Sequence, residues 1–66
     1  MYILELQETE KLFSKITYYH SIYDGILQDV KIKDQASIFK TEYNANLCKD
    51  IIERNYCYTC KIIELK

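Results

Sequence analysis

Only one stretch of this chain, residues 42–54, carries the apolar spacing of an amphipathic helix, and one such helix covers only one face of a small sheet. Seven Tyr and two Phe nevertheless occur in 66 residues, with a single Gly and no Pro. The helix cannot shelter that many rings. Some are therefore expected at the surface, where Tyr favours contact with a partner.

The length allows one domain, residues 1–66. A chain this short buries about 60% of its unfolded surface, so its stability is marginal without a disulfide, a metal or a second subunit. A substrate cleft of several hundred cubic ångströms needs more scaffold than this, which argues against an enzyme. No catalytic or nucleotide-binding motif is present, and no cofactor is expected.

Nine basic and ten acidic side chains leave a net charge of −1. They are well mixed. No basic stripe is available to neutralise phosphates, so nucleic acid is a disfavoured partner. No run approaches a membrane span. The opening Met1-Tyr-Ile-Leu-Glu-Leu6 lacks the basic and long apolar regions of a signal peptide. A cytoplasmic protein is expected, with three Cys kept as thiols.

Residues 2–6 form a short apolar run rich in strand formers, and residues 13–23 are the clearest strand, dominated by Phe, Ile, Thr and Tyr. In the second strand the even positions are Ile16, Tyr18, His20 and Ile22. They make the better core face. The odd positions Lys15, Thr17, Tyr19, Ser21 and Tyr23 would then face outward.

Asp24-Gly25 is the strongest turn signal. A two-residue turn would pair Tyr23 with Ile26. A three-residue loop, with Gly25 at a left-handed bulge position, would instead pair Ile22 with Ile26, Tyr18 with Val30 and Ile16 with Ile32. The second register keeps every even position on one apolar face, so register matching favours it. It sets His20 opposite Gln28, as a half-buried, hydrogen-bonded strand residue.

Residues 34–41 reverse the chain as a helical turn or a short extended stretch. Thr41 is the expected helix N-cap. Ala45, Cys48, Ile51 and Ile52 share the inner helical face, with Leu47 at its edge. Arg54 suits the helix C-terminus, and Asn55 fits a left-handed cap. Residues 57–65 form the last strand, beside the first. Adjacent Ile62 and Ile63 place apolar groups on both of its faces, which favours a central position. The order β-β-β-α-β gives an α+β domain: a small, mostly antiparallel sheet of about four strands, with one helix on one face.

Three constellations could carry chemistry. Cys57-Tyr-Thr-Cys60 has the spacing of a zinc or redox turn, but positions three apart in a regular strand point to opposite faces. With Cys48 and His20 it would make a Cys₃His set for a zinc-stabilised adaptor. Free Cys more often packs as a small hydrophobe. His20 would need an oriented partner and a nucleophile nearby to act in catalysis; Cys48 or Cys60 could serve as that nucleophile, but nothing in the spacing requires it. The third is the aromatic row. Phe13, Tyr19 and Tyr23, rimmed by Lys15 and Thr17, would lie on the odd face of the second strand as a partner-binding or homodimer surface.

The opening Met-Tyr-Ile-Leu-Glu-Leu, the segment Ala36-x-x-Phe39-x-Thr41-x-x-x-Ala45 and the closing Cys60-Lys-Ile-Ile-Glu-Leu65 resemble short proteins of phages and prophages from low-GC Gram-positive hosts. The excess of Ile, Lys and Tyr agrees with an AT-rich genome. Some small phage proteins of this kind block host defences, CRISPR effectors among them, by anti-CRISPR-like binding. The resemblance implies a non-catalytic inhibitor of a host protein in the host cytoplasm. The zinc-stabilised adaptor is one alternative. An oligomer that sequesters a small signalling nucleotide is another, weakened by the lack of a basic pocket or Gly-rich loop.

Overall fold

The computed structural model describes residues 1–9 and 15–66. Strands β1 (Tyr2–Glu8), β2 (Thr17–Tyr23) and β3 (Ile26–Val30) are followed by a 3₁₀ turn at Lys33–Gln35, helix α1 (Glu42–Asn55) and strand β4 (Tyr58–Glu64). The sheet order is β3-β2-β1-β4, and each neighbouring pair is antiparallel. This is the expected α+β domain. The expected start of the second strand at residue 13 lies outside the described residues.

β1 is central, and its sequence meets the requirement that both faces be apolar. Leu4 and Leu6 are fully buried on the helix side, where they cluster with Ala45, Ile52 and Cys60. Ile3, on the opposite face, is buried as well and pairs with Ile63. β4 pairs with β1 along its whole length but lies at the sheet edge, not at the centre. Its Ile62-Ile63 pair is apolar on both faces because it flanks the doubly buried β1. Ile62 packs on the helix-side cluster, whereas Ile63 meets Ile3.

Thr41 caps α1 as its sequence predicts: its Oγ1 accepts a 3.2 Å hydrogen bond from the Asn44 backbone N–H. Ala45 and Ile52 are buried and Cys48 is half-buried, but Ile51 is exposed. Six residues beyond Ala45, Ile51 points about 120° away from it at helical spacing. Asn55 is not a left-handed cap. It is the last helical residue, its Nδ2 donates to the Ile51 carbonyl at 2.9 Å, and the chain leaves through an extended Tyr56. Arg54 pairs with Asp50 at 3.2 Å.

Among the described residues, β1 and β2 pair only at Glu5–Tyr18 and Leu6–Thr17. Beyond those positions residues 37–39 bond to both strands. The Ser37 N–H donates to the Tyr19 carbonyl at 2.9 Å, and Phe39 exchanges backbone bonds with Tyr2 at 2.7 and 2.8 Å. The Phe39 ring stacks on Tyr19 with 5.8 Å between centroids. Residues 33–39 thus combine both expected forms, a short helical turn and then an extended stretch.

Candidate functional site

The site grows out of an irregularity in the β2–β3 hairpin. Its tip is a two-residue turn, with Asp24 at φ 52° and Gly25 at φ 75°. Positive φ at both central residues is the mark of a type I′ turn, whose twist matches that of the flanking strands. Tyr23 therefore pairs with Ile26, Ile22 with Leu27 and Ser21 with Gln28. The register then shifts, and Tyr19 pairs with Asp29 and Tyr18 with Val30. His20 is the extra residue of a β-bulge. The expected three-residue loop is corrected at the tip, yet its Tyr18–Val30 pairing holds on the far side of the bulge. Ile16 and Ile32 lie outside both strands and are exposed.

The bulge exchanges the faces of β2. Before it, Thr17 and Tyr19 share the helix side with Leu6, through the Thr17–Leu6 pair. After it, Ile22 takes that side, opposite Leu27, which packs on the core cluster. Tyr23 is thereby turned to the face opposite α1. Bulges re-aim side chains in this way.

The outer face carries the result. Tyr23 and Ile26, a cross-strand pair, are 76% and 61% exposed. His20 is exposed, not half-buried against Gln28; its Nδ1 is hydrogen-bonded to Ser21 Oγ at 3.0 Å. Neighbouring side chains meet like this only where a strand is irregular. Ser37 Oγ donates to the His20 carbonyl and so anchors the bulge from the side. His20, Ser21, Tyr23, Gln28, Asp29 and Val30 line an open groove of about 450 Å³. Apolar contact area and hydrogen-bonding groups thus lie side by side, as at protein interfaces.

The residues singled out by sequence are divided by this geometry. Tyr23 and Lys15 are exposed, but Tyr19 turns inward instead of outward. Burial, reinforced by the neighbouring Cys48 thiol, pushes the pKa of the Tyr19 hydroxyl up to about 12. Thr17 also faces the helix side. Phe13 lies outside the described residues. Ile26 and Gln28 escape the sequence reading, because only the register of the hairpin tip turns them to the face that carries Tyr23. A second exposed apolar stripe, Tyr43, Leu47 and Ile51, runs along α1 at four-residue spacing.

The cysteines do not converge with the histidine. Cys60 is buried under the helix, Cys48 is half-buried beside it, and Cys57 is exposed just before β4. His20 lies on the outer face. Among the described residues no three or more His, Cys, Asp or Glu side chains are placed to hold a metal ion. Burial raises the Cys48 thiol pKa and lifts that of Cys60 to about 12, helped there by the Glu53 carboxylate. Both are inert, protonated core groups at neutral pH. No helix among the described residues is long and apolar enough to cross a membrane. No protein-family model, no curated protein and no solved structure matches this chain.

Proposed function

We propose that this protein acts by binding, without catalysis, and lays the outer face of its β2–β3 hairpin over a functional surface of another protein. The observation that carries this reading is the exposed Tyr23–Ile26 pair, held outward by a bulge and flanked by the hydrogen-bonding groups of His20, Ser21 and Gln28. Large side chains on a rigid hairpin lose little freedom on docking, which favours them as anchors. The sequence resemblance extends the proposal to its biological form: an inhibitor from a phage or mobile element that acts in the host cytoplasm on a defence protein such as a CRISPR effector.

The test compares the natural protein with a Tyr23→Ala/Ile26→Ser variant, both immobilised and exposed to lysate of a low-GC Gram-positive host. One host protein should be retained by the natural chain and lost by the variant, with circular dichroism unchanged. The purified host protein should lose activity when the natural chain is added. Equal retention by both forms, or unaltered activity of the captured protein, would overturn the proposal.

A further inference from the structure

The free edge of β4 is half closed and half open. The Leu65 N–H donates to the Met1 carbonyl at 2.7 Å, and the Thr9 N–H to the Cys57 carbonyl at 3.1 Å. Odd-numbered residues of this strand therefore turn their backbone groups toward β1. By the alternation of an antiparallel ladder, Tyr58, Cys60, Ile62 and Glu64 turn theirs outward. Two of these outward N–H groups are taken by the chain itself. Tyr58 donates to the Tyr56 carbonyl at 2.9 Å, and Cys60 to Glu53 Oε2 at 3.1 Å. Among the described residues, the N–H groups of Ile62 and Glu64 have no partner in the fold. An open edge of this kind is a template for another strand.

We propose that the open half of β4 pairs with the same segment of a second copy, antiparallel, with Ile63 opposite Ile63 across a two-fold axis. Hydrogen-bonding parity selects this register. Only outward residues can form ladder bonds with each other, so even positions must meet even positions. A register centred on Lys61 sets two ammonium groups directly opposite and requires the Cys60 N–H that Glu53 already holds. One centred on Ile62 requires that same N–H. Centring on Ile63 pairs Ile62 with Glu64 twice and uses the four open groups, with no like charges opposed. The two sheets then join into one, both helices lie on the same face, and an apolar Ile63 pair sits on the dyad. This association uses the sheet edge farthest from the β2–β3 hairpin, so it stands or falls independently of the binding proposed for that face.

Sedimentation over a concentration series reaching millimolar tests it, with two variants. Glu64→Pro removes an N–H that points out of the sheet, so the fold can keep its internal ladder. Ile63→Cys, in a Cys57→Ser background, sets two thiols across the dyad at a non-hydrogen-bonded pair, about 4.5 Å apart at Cα, within reach of a disulfide. The natural chain should approach twice its 8.0 kDa mass as concentration rises. Glu64→Pro should remain at the single-chain mass with an unchanged circular dichroism spectrum. Mild oxidation of Ile63→Cys should give a covalent dimer joined through the introduced thiols. If Glu64→Pro does not fold, the covalent dimer decides alone. A natural chain that stays monomeric throughout, or an Ile63→Cys chain that forms no such link, would overturn the proposal.

Discussion

The phenolic hydroxyl of Tyr56 donates a 2.8 Å hydrogen bond to the carbonyl oxygen of Gly25, 31 residues earlier in the chain. It fastens the tip of the β2–β3 hairpin to the segment that leaves α1. The exposed Tyr23–Ile26 pair sits directly beside this tie. Tyr56→Phe keeps the ring and removes the bond. A loss of about 1 kcal/mol is expected for a neutral hydrogen bond of this type. In a domain this small that lowers Tm by several degrees, readable by thermal melting. An unchanged melting curve would show that the tie contributes nothing.

The turn itself is more sensitive. Gly25 holds φ 75°, and a Cβ built there would meet nothing within 4 Å. The cost of a side chain is therefore conformational and not steric. Gly25→Ala should cost roughly 1–2 kcal/mol, and Gly25→Asn clearly less, because Asn tolerates the left-handed region. Urea unfolding of the two variants checks the order. Equal costs would mean that the turn does not require a left-handed residue.

Tyr19 and Tyr23 should behave as opposites. Tyr19 packs on the core cluster and stacks on Phe39. Truncating a buried aromatic costs about 3–5 kcal/mol, and the half-buried Tyr19 should reach the lower part of that range in Tyr19→Ala. Tyr23→Ala should alter stability by no more than about 0.5 kcal/mol, as surface changes do. Urea midpoints of the two single variants measure this directly. A stable Tyr19→Ala protein would place that ring outside the core.

How far the fold could be read from the chain depended on how local each signal was. The Thr41 cap, the apolar opening of β1 and the inner-face spacing of Ala45 and Ile52 each lie within a few residues, and each led to the right element. The His20 bulge has no such signal. Matching apolar positions through the hairpin presumes one register throughout, whereas the turn sets one register and the bulge restores the other. That single extra residue sent Tyr19 inward and Tyr23 outward, and so divided the expected aromatic face. The edge position of β4 was hidden for a different reason. Ile62 and Ile63 have apolar neighbours on both faces, and nothing in a strand's own sequence says whether its far edge is paired.

The raised pKa values set an alkaline limit on stability. Burial first, and then Glu53 and Cys48, lift Cys60 from its ordinary 9.0 to about 12; burial and then Cys48 lift Tyr19 from 10.0 to about 12. The unfolded chain loses these protons at the ordinary values while the folded chain keeps them. Folding is therefore favoured fully below pH 9 and less with each step from there toward 12. The urea midpoint should be level through neutral pH and decline above about 9. Under native conditions at pH 8, a thiol reagent should modify exposed Cys57 at once and Cys60 only on unfolding. Immediate reaction of every thiol in the native protein would contradict this account.

Glu53 guards the edge of β4. Its Oε2 accepts from the Cys60 N–H at 3.1 Å, across the gap between α1 and the strand. Glu53→Ala removes that acceptor. It also removes the negative charge that helps hold the Cys60 thiol protonated. Two results are expected together. Cys60 should become alkylated at a lower pH than in the natural chain. The open stretch of edge should lengthen from Ile62–Glu64 to Cys60–Glu64, which offers an incoming strand a longer apolar template and raises the tendency to associate. Glu53→Gln keeps an acceptor at the same position, so it should share the thiol effect but not the association. Light scattering and alkylation followed across pH separate the two. Equal association of the alanine and glutamine variants would mean that the carboxylate acts on the thiol alone and that the edge is protected by something other than this hydrogen bond.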